Sequence, residues 1–443
     1  MSHAMRNSVN KLPLNRLEIS TVFGLAVVLA IATSAQAATL CVNAHGKPGC
    51  FTTISAAVAA ASSGDTIAVA AGKYAEDVHI GKPLSLIGEG RDNTTIAANG
   101  LSNGIYIDGF DAPGLAHVVV TGFTVENANF EGILVQNASA VTIWGNTVRE
   151  NDQNLQFQNS ACPGLPAFET NEGDDCGEGI HLMGVNHSTV ADNIIEHNAG
   201  GILVSDETAV NDDNIITRNI VRDNPFDCGI TTASHRAYVK TGTAPLAFGI
   251  YHNTISDNES RGNGGAGVGI FAPGPGNVNV QNSVVHNRLI DNGLGGVTIH
   301  NHVFLAFPGH PPNPNANDNV VVGNYISGNA ADGDTGTTVP TGISILGTTP
   351  ITGLVISGNV IKNEGIDVAV NSASLLDLHL NSFEGKQVGV ANLNAGGTVN
   401  ATENWWGCPD GPGNGPGSRG CATIQGVAVT TAPWLTNPSE VEP

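Results

Sequence analysis

Short alternations of apolar and free positions, each opened by glycine, recur along the chain from about residue 104 to 397. Gly179-Ile180-His181-Leu182, Gly201-Ile202-Leu203-Val204, Gly229-Ile230-Thr231-Thr232, Gly267-Val268-Gly269-Ile270, Gly296-Val297-Thr298-Ile299 and Gly342-Ile343-Ser344-Ile345 are successive copies. Earlier copies begin at Ile105 and Ile133, and a weaker one begins at Ile366. First apolar positions are separated by 28, 47, 22, 28, 38, 29, 46 and 23 residues. The shortest spacing fits one solenoid turn, and the three longest fit the same turn carrying an insertion. Period-two patterning without a helical period predicts an all-β, single-stranded right-handed parallel β-helix.

The second half of each copy places an asparagine after an apolar pair: Asn146, Asn193, Asn219, Asn253, Asn287, Asn324 and Asn359. Another follows five residues later at Asn151, Asn198, Asn224, Asn258, Asn292 and Asn329. Stacked amides at bends bond to the coils above and below, so these residues are expected to be structural. Near the start, Thr52 or Thr53 can N-cap a short helix, Ile54 to Ala61, which would cover the first coil. At the other end Trp405 and Trp406 are expected to close the solenoid.

Lys11 and Arg16 precede the apolar run 22–32, and Ala35-Gln36-Ala37 has the small-x-small form of a signal-peptidase site. Residues 1–37 are therefore read as a signal peptide, 38–403 as the β-helix, and 404–443 as a C-terminal cap with a Gly/Pro-rich tail. The run is short for a membrane span. A secreted or periplasmic monomer is expected. The formal charge of −22 argues against nucleic acid and anionic membranes as partners. Seven cysteines suit an oxidising compartment. Cys41 with Cys50, Cys162 with Cys176, and Cys408 with Cys421 each close a short loop. Cys228 is left buried and inert, and Cys162 with Cys228 stays open as a rival pairing.

The opening segment, Asp65-Thr66-Ile67-Ala68-Val69 followed by Gly72-Lys73-Tyr74, Val78-His79-Ile80, Leu84-Ser85-Leu86-Ile87 and Gly88-Glu89-Gly90, resembles the first coils of the pectin-lyase-like β-helix superfamily. That group includes pectate lyases, pectin methylesterases and the broader right-handed β-helix repeat proteins. The likeness covers nearly all of the mature chain and implies the fold and a carbohydrate-active role. It does not specify a reaction.

Superposing the copies puts positions one and three inward and positions two and four outward. In the copy that begins at Ile105, positions two, four and six are Tyr106, Asp108 and Phe110. Position six places Glu207 and His235 side by side on adjacent coils, with His302 in the same column. His181 and His300 fall on neighbouring outward positions. Insertions at about 152–178, 236–247, 305–318 and 330–341 converge on this strip, as loops carrying function do on rigid scaffolds. Candidate catalytic residues are His235, Glu207, His181, His300, His302 and Asp206, groups suited to proton transfer. Arg236, Lys240 and Phe271 are candidates for substrate binding. His187, His197, His252 and His286 lie elsewhere on the coil and are read as structural. The glycine-rich runs 262–269 and 413–420 lack the context of a phosphate loop.

A polysaccharide lyase acting on an acidic polymer by β-elimination is the leading reading. His235 would be the base, and Arg236 and Lys240 would neutralise the carboxylate. Asp174, Asp175 and Glu178 would be ligands for a possible calcium ion. A glycoside hydrolase would use two carboxylates among Asp175, Asp206 and Glu207. However, Asp174-Asp175 lacks the companion Gly-His-Gly and Arg-Ile-Lys segments of polygalacturonases, and the Asp-Pro-His-Asp run of alginate epimerases is absent. The third reading is a non-catalytic carbohydrate-binding or metal-handling solenoid of NosD-like type.

Overall fold

The computed structural model describes residues 37–152, 177–301, 313–384, 387–413 and 420–438. The signal segment up to Gln36, and Cys162, Asp174, Asp175, Cys176 and His302, lie outside these residues. Three long sheets of 14, 12 and 11 strands and a short three-stranded one run along the described chain. Neighbouring strands are parallel and come from consecutive coils, giving a right-handed parallel β-helix.

In the 12-stranded sheet, Ile105, Ile133, Ile180, Ile202, Ile230, Val268, Val297 and Ile343 stand in one register column. Each is at most 1% exposed, so the column is a continuous apolar spine. In the last full copy the partner of Ile343 is Val368, not Ile366. The shift is two residues, so inward and outward faces are preserved.

The asparagines form buried ladders in which each side chain bonds to the next coil. One runs Asn146, Asn193, Asn219, Asn258, Asn287, Asn324, Asn359, Asn381, Asn404. A second runs Asn151, Asn198, Asn224, Asn263, Asn292, Asn329. A third joins Asn214, Asn253, Asn282 and Asn319. Asn253 and Asn258 thus each belong one ladder away from the column that spacing alone assigned. The cause is local: the turn at His252-Asn253 precedes strand Thr254–Ser256, which pairs with Ile215–Thr217, so Asn253 aligns with Asn214.

Helix Ile54–Ala60 is capped by Thr53, whose hydroxyl accepts from Ala56 N, and buries Ile54, Ala57 and Val58 against the first coil. Trp406, fully buried, packs edge-on to Phe383 at the other end. Cys41–Cys50 and Cys408–Cys421 are disulfides. Cys228 is a buried free thiol accepting from Ala266 N, which removes the pairing with Cys162. No helix among the described residues is long and apolar enough to cross a membrane.

The second ladder ends on a carboxyl group: Glu364 Oε1 accepts from Asn329 N (3.1 Å) and Nδ2 (3.0 Å). Burial pushes its pKa up to about 7. A raised folded-state value means that the stability is complete below the unfolded pKa, 4.5, and is lost as pH rises through about 7. Glu364→Gln keeps the acceptor without the charge. Urea unfolding should find it little changed at pH 4 to 5 and more stable than wild type by roughly 3 kcal/mol above pH 8.

Candidate functional site

The outward face of the 12-stranded sheet carries three polar assemblies. The central one is a buried chain across four coils. Glu131 Oε1 meets His181 Nδ1 (3.0 Å), and His181 Nε2 meets Ser205 Oγ (2.7 Å). Ser205 Oγ donates to Glu207, whose other oxygen bonds His235 Nδ1. His181 and Glu207 are fully buried and His235 is 5% exposed. The columns placed Glu207 and His235 side by side with His181 nearby, and the three are linked, but under cover rather than on an open strip. Burial pushes the Glu207 carboxyl up, but the His235 and His181 charges and the Ser205 hydroxyl outweigh it, so its pKa is lowered.

The cover over Glu207 and His235 is the segment 236–247, a strap laid back along the solenoid. Asp206 holds both of its ends, accepting from His235 N (2.6 Å) before the strap and Gly249 N (2.5 Å) after it, and from Ser234 Oγ (3.1 Å). Burial, with Glu207 adding to it, pushes the Asp206 pKa up to about 6. Asp206 is therefore a structural clamp. Tyr238 N donates to Glu207 O (2.6 Å), and the Tyr238 ring lies 6.0 Å from Phe110. Lys240 sits 4.1 Å above the Phe110 ring and pairs with Asp111. The strap thus carries Tyr238 and Lys240 from the coil of Ile230 to that of Ile105, four coil steps or roughly 19 Å away. Arg236 stays exposed on the strap.

Between strap and first coils lies an open cleft of about 600 Å³, lined by Asp77, His79, Tyr106, Asp108, Phe110, Asp111, Tyr238 and Lys240. His79 and Tyr106 are register partners and stack at 5.0 Å with rings nearly parallel. His79 Nε2 is held by Asp108 Oδ2 at 2.9 Å, and Asp108 is nearly buried while the imidazole is open. Tyr106 donates to Gln136 Oε1. Burial and, secondarily, Asp108 push the Tyr106 hydroxyl pKa up; burial also raises that of Asp77. Sequence reasoning placed Tyr106, Asp108 and Phe110 outward on one coil, yet passed over them because that coil has no insertion of its own. The contributing insertion arrives from four coils away.

The third assembly lies toward the C-terminal end. His300 Nε2 meets Asp332 Oδ2 (2.8 Å) and Thr335 Oγ1 (3.1 Å), and Phe271 packs edge-on at 5.6 Å. Asp332 also accepts from Ser344 Oγ and from the amides of Asp334 and Thr335. Although burial pushes its carboxyl up, His300 and the hydroxyls of Ser344 and Thr335 hold it well below the usual range. His300 anchors the loop 330–341 and is 2% exposed. Glu178 is buried beside Glu131 and His181.

Removing Glu207 would strand the His235 imidazole and the Ser205 hydroxyl in a buried site. Glu207→Ala should lower unfolding free energy by about 3 kcal/mol, measured by denaturant titration. An unchanged midpoint would mean that the chain contributes nothing to the fold.

The profile of the right-handed β-helix region family matches residues 89–244. No curated protein sequence matches the chain. Among solved structures it is similar to the Dettilon tailspike protein, at 13% identity and TM-score 0.53, covering 83% of this chain and 62% of the tailspike. The chain therefore spans under two thirds of that protein. The A-module of a mannuronan C-5 epimerase from Azotobacter vinelandii aligns at 15% identity and TM-score 0.49, over 87% of this chain and 94% of the module. An alginate lyase from Paenibacillus aligns at 12% identity and TM-score 0.36, over 89% and 99%. At such identities the likeness concerns fold. Matched region, coil register and sheet topology agree on one fold, a right-handed parallel β-helix.

Proposed function

We propose that the protein is an extracytoplasmic, carbohydrate-active β-helix enzyme that binds an acidic polysaccharide in the cleft and cleaves it by β-elimination. The observation that carries this reading is His79, held at Nε2 by Asp108 and facing an aromatic cleft that also contains Lys240 and Tyr238. Stacked and tilted rings give sugar rings apolar platforms. The Asp108 bond places the proton on Nε2, so Nδ1 carries the lone pair, the arrangement of an oriented general base. His79 Nδ1 takes the proton α to the uronate carboxylate, the new double bond forms, and the glycosidic C–O bond breaks. The Tyr238 hydroxyl protonates the departing oxygen. Lys240 offsets the substrate carboxylate. Its pairing with Asp111 is solvent-exposed, and such pairs are worth about 0–1 kcal/mol, so a substrate carboxylate can displace Asp111 at small cost.

This reading moves the base from His235 to His79, because His235 is buried under the strap and bound to Glu207. One observation favours hydrolysis instead. Asp77 lines the cleft and burial raises its pKa, as a general acid requires.

Incubation of the mature protein with a panel of uronate and neutral polysaccharides separates the two. An ultraviolet-absorbing unsaturated product is expected, while new reducing ends without it would support hydrolysis. On the polymer that is cleaved, His79→Ala should lower kcat by about 10²–10⁴-fold. Lys240→Ala should act mainly on KM. A His79→Ala enzyme of full activity would remove His79 from the mechanism.

A further inference from the structure

Two adjacent copies begin with the same tripeptide, Glu131-Gly132-Ile133 and Glu178-Gly179-Ile180. Because Ile133 and Ile180 are register partners, the two glutamates fall at the same level of neighbouring coils, about 4.8 Å apart along the axis. Both are buried, Glu131 at 0% and Glu178 at 1% exposure. The next coil has Gly200 at that level, and a Cβ there would come within 3.2 Å of Glu178 Oε1, so the glycine makes room for the carboxylate. Donor atoms of Glu131, Glu178 and His181 all lie within 4.8 Å of one another. The Glu131 Oε2 atom, fully buried, has no hydrogen-bond partner among the described residues.

Two stacked carboxylates in a buried site repel unless a proton or a cation lies between them. The proton count along the chain narrows the choice. The single Ser205 hydroxyl proton goes to Glu207, so His181 Nε2 must donate to Ser205. His181 Nδ1 then either carries a second proton, making an imidazolium, or presents its lone pair toward Glu131. A lone pair against a carboxylate repels it, so that contact needs either a proton on the Glu131 carboxyl or a metal cation between the two groups.

We propose that Glu131, Glu178 and His181 Nδ1 bind one divalent transition-metal ion, with Ser205 and Glu207 as the hydrogen-bonded support behind the histidine. One imidazole nitrogen with two carboxylates suits Zn²⁺ or Mn²⁺ better than Ca²⁺ or Mg²⁺, which take oxygen ligands. The arrangement matches the carboxylate support commonly found behind metal-bound histidines, relayed through Ser205. The ion would neutralise the stacked glutamates and fix which nitrogen of His181 carries the proton.

The test uses EDTA-treated mature protein, titrated calorimetrically with ZnCl₂ and, separately, MnCl₂. Either metal should bind at one ion per chain and raise Tm. Glu131→Gln and Glu178→Gln should each weaken that binding at least tenfold. His252→Ala, which alters the exposed Asp212, Asp213 and His252 group, should leave it unchanged. Should a glutamate variant fail to fold, the wild-type stoichiometry and Tm shift, with the His252→Ala control, still decide. If neither ion binds, protons alone hold the stacked carboxyls and His181 together, and the proposal falls. It falls equally if both glutamate variants bind as wild type does, or if His252→Ala alone abolishes binding.

Discussion

In-register parallel stacking is the constraint on which the structure depends. Every coil must place a polar turn inside the wall of the solenoid without leaving its amides unbonded. The asparagine ladders meet that need. Each Nδ2 and the neighbouring backbone N–H share one Oδ1 of the next coil, as Asn193 does with Asn219. An unbonded buried amide costs about 1–3 kcal/mol, so each rung fixes both the height and the phase of its coil. The apolar spine fills the interior, but it tolerates sliding between similar side chains far better than the ladders do.

That fixed phase gives the outward face its chemistry. Residues remote in sequence become neighbours at coil spacing, as with His79 beside Tyr106, or Glu207 beside His235. The strap adds a longer connection. Asp206 grips the chain before and after it, so Tyr238 and Lys240 are delivered to the first coils by a segment with both feet on one carboxylate. The buried histidines then have a consistent physical role: they hold loops and coils together beneath the surface where a saccharide would lie.

The fold was legible because coil repetition is a one-dimensional signal. Glycine, the paired apolar positions and the asparagines recur at spacings that strand geometry explains. Spacing misplaced Asn253 and Asn258, since coil length varies and only pairing shows which turn an asparagine occupies. The convergence of His181, Glu207 and His235 was also readable from the columns. Their burial was not, because it depends on how the strap folds back. For the same reason the first-coil cleft escaped notice: Tyr106, Asp108 and Phe110 stood in the outward columns, but nothing local in the sequence shows that Lys240 reaches them. Glu131 was legible in principle, through the tripeptide it shares with Glu178.

The central claim is that saccharide occupies the cleft between the first coils and the strap. Hydrogen–deuterium exchange on the His79→Ala protein, with and without a polysaccharide that the wild type cleaves, tests it most directly. The account predicts slower exchange at residues 105–111 and 236–247, with the segment 341–347 unaffected. Protection confined to the C-terminal coils, with neither of those two segments slowed, would contradict it.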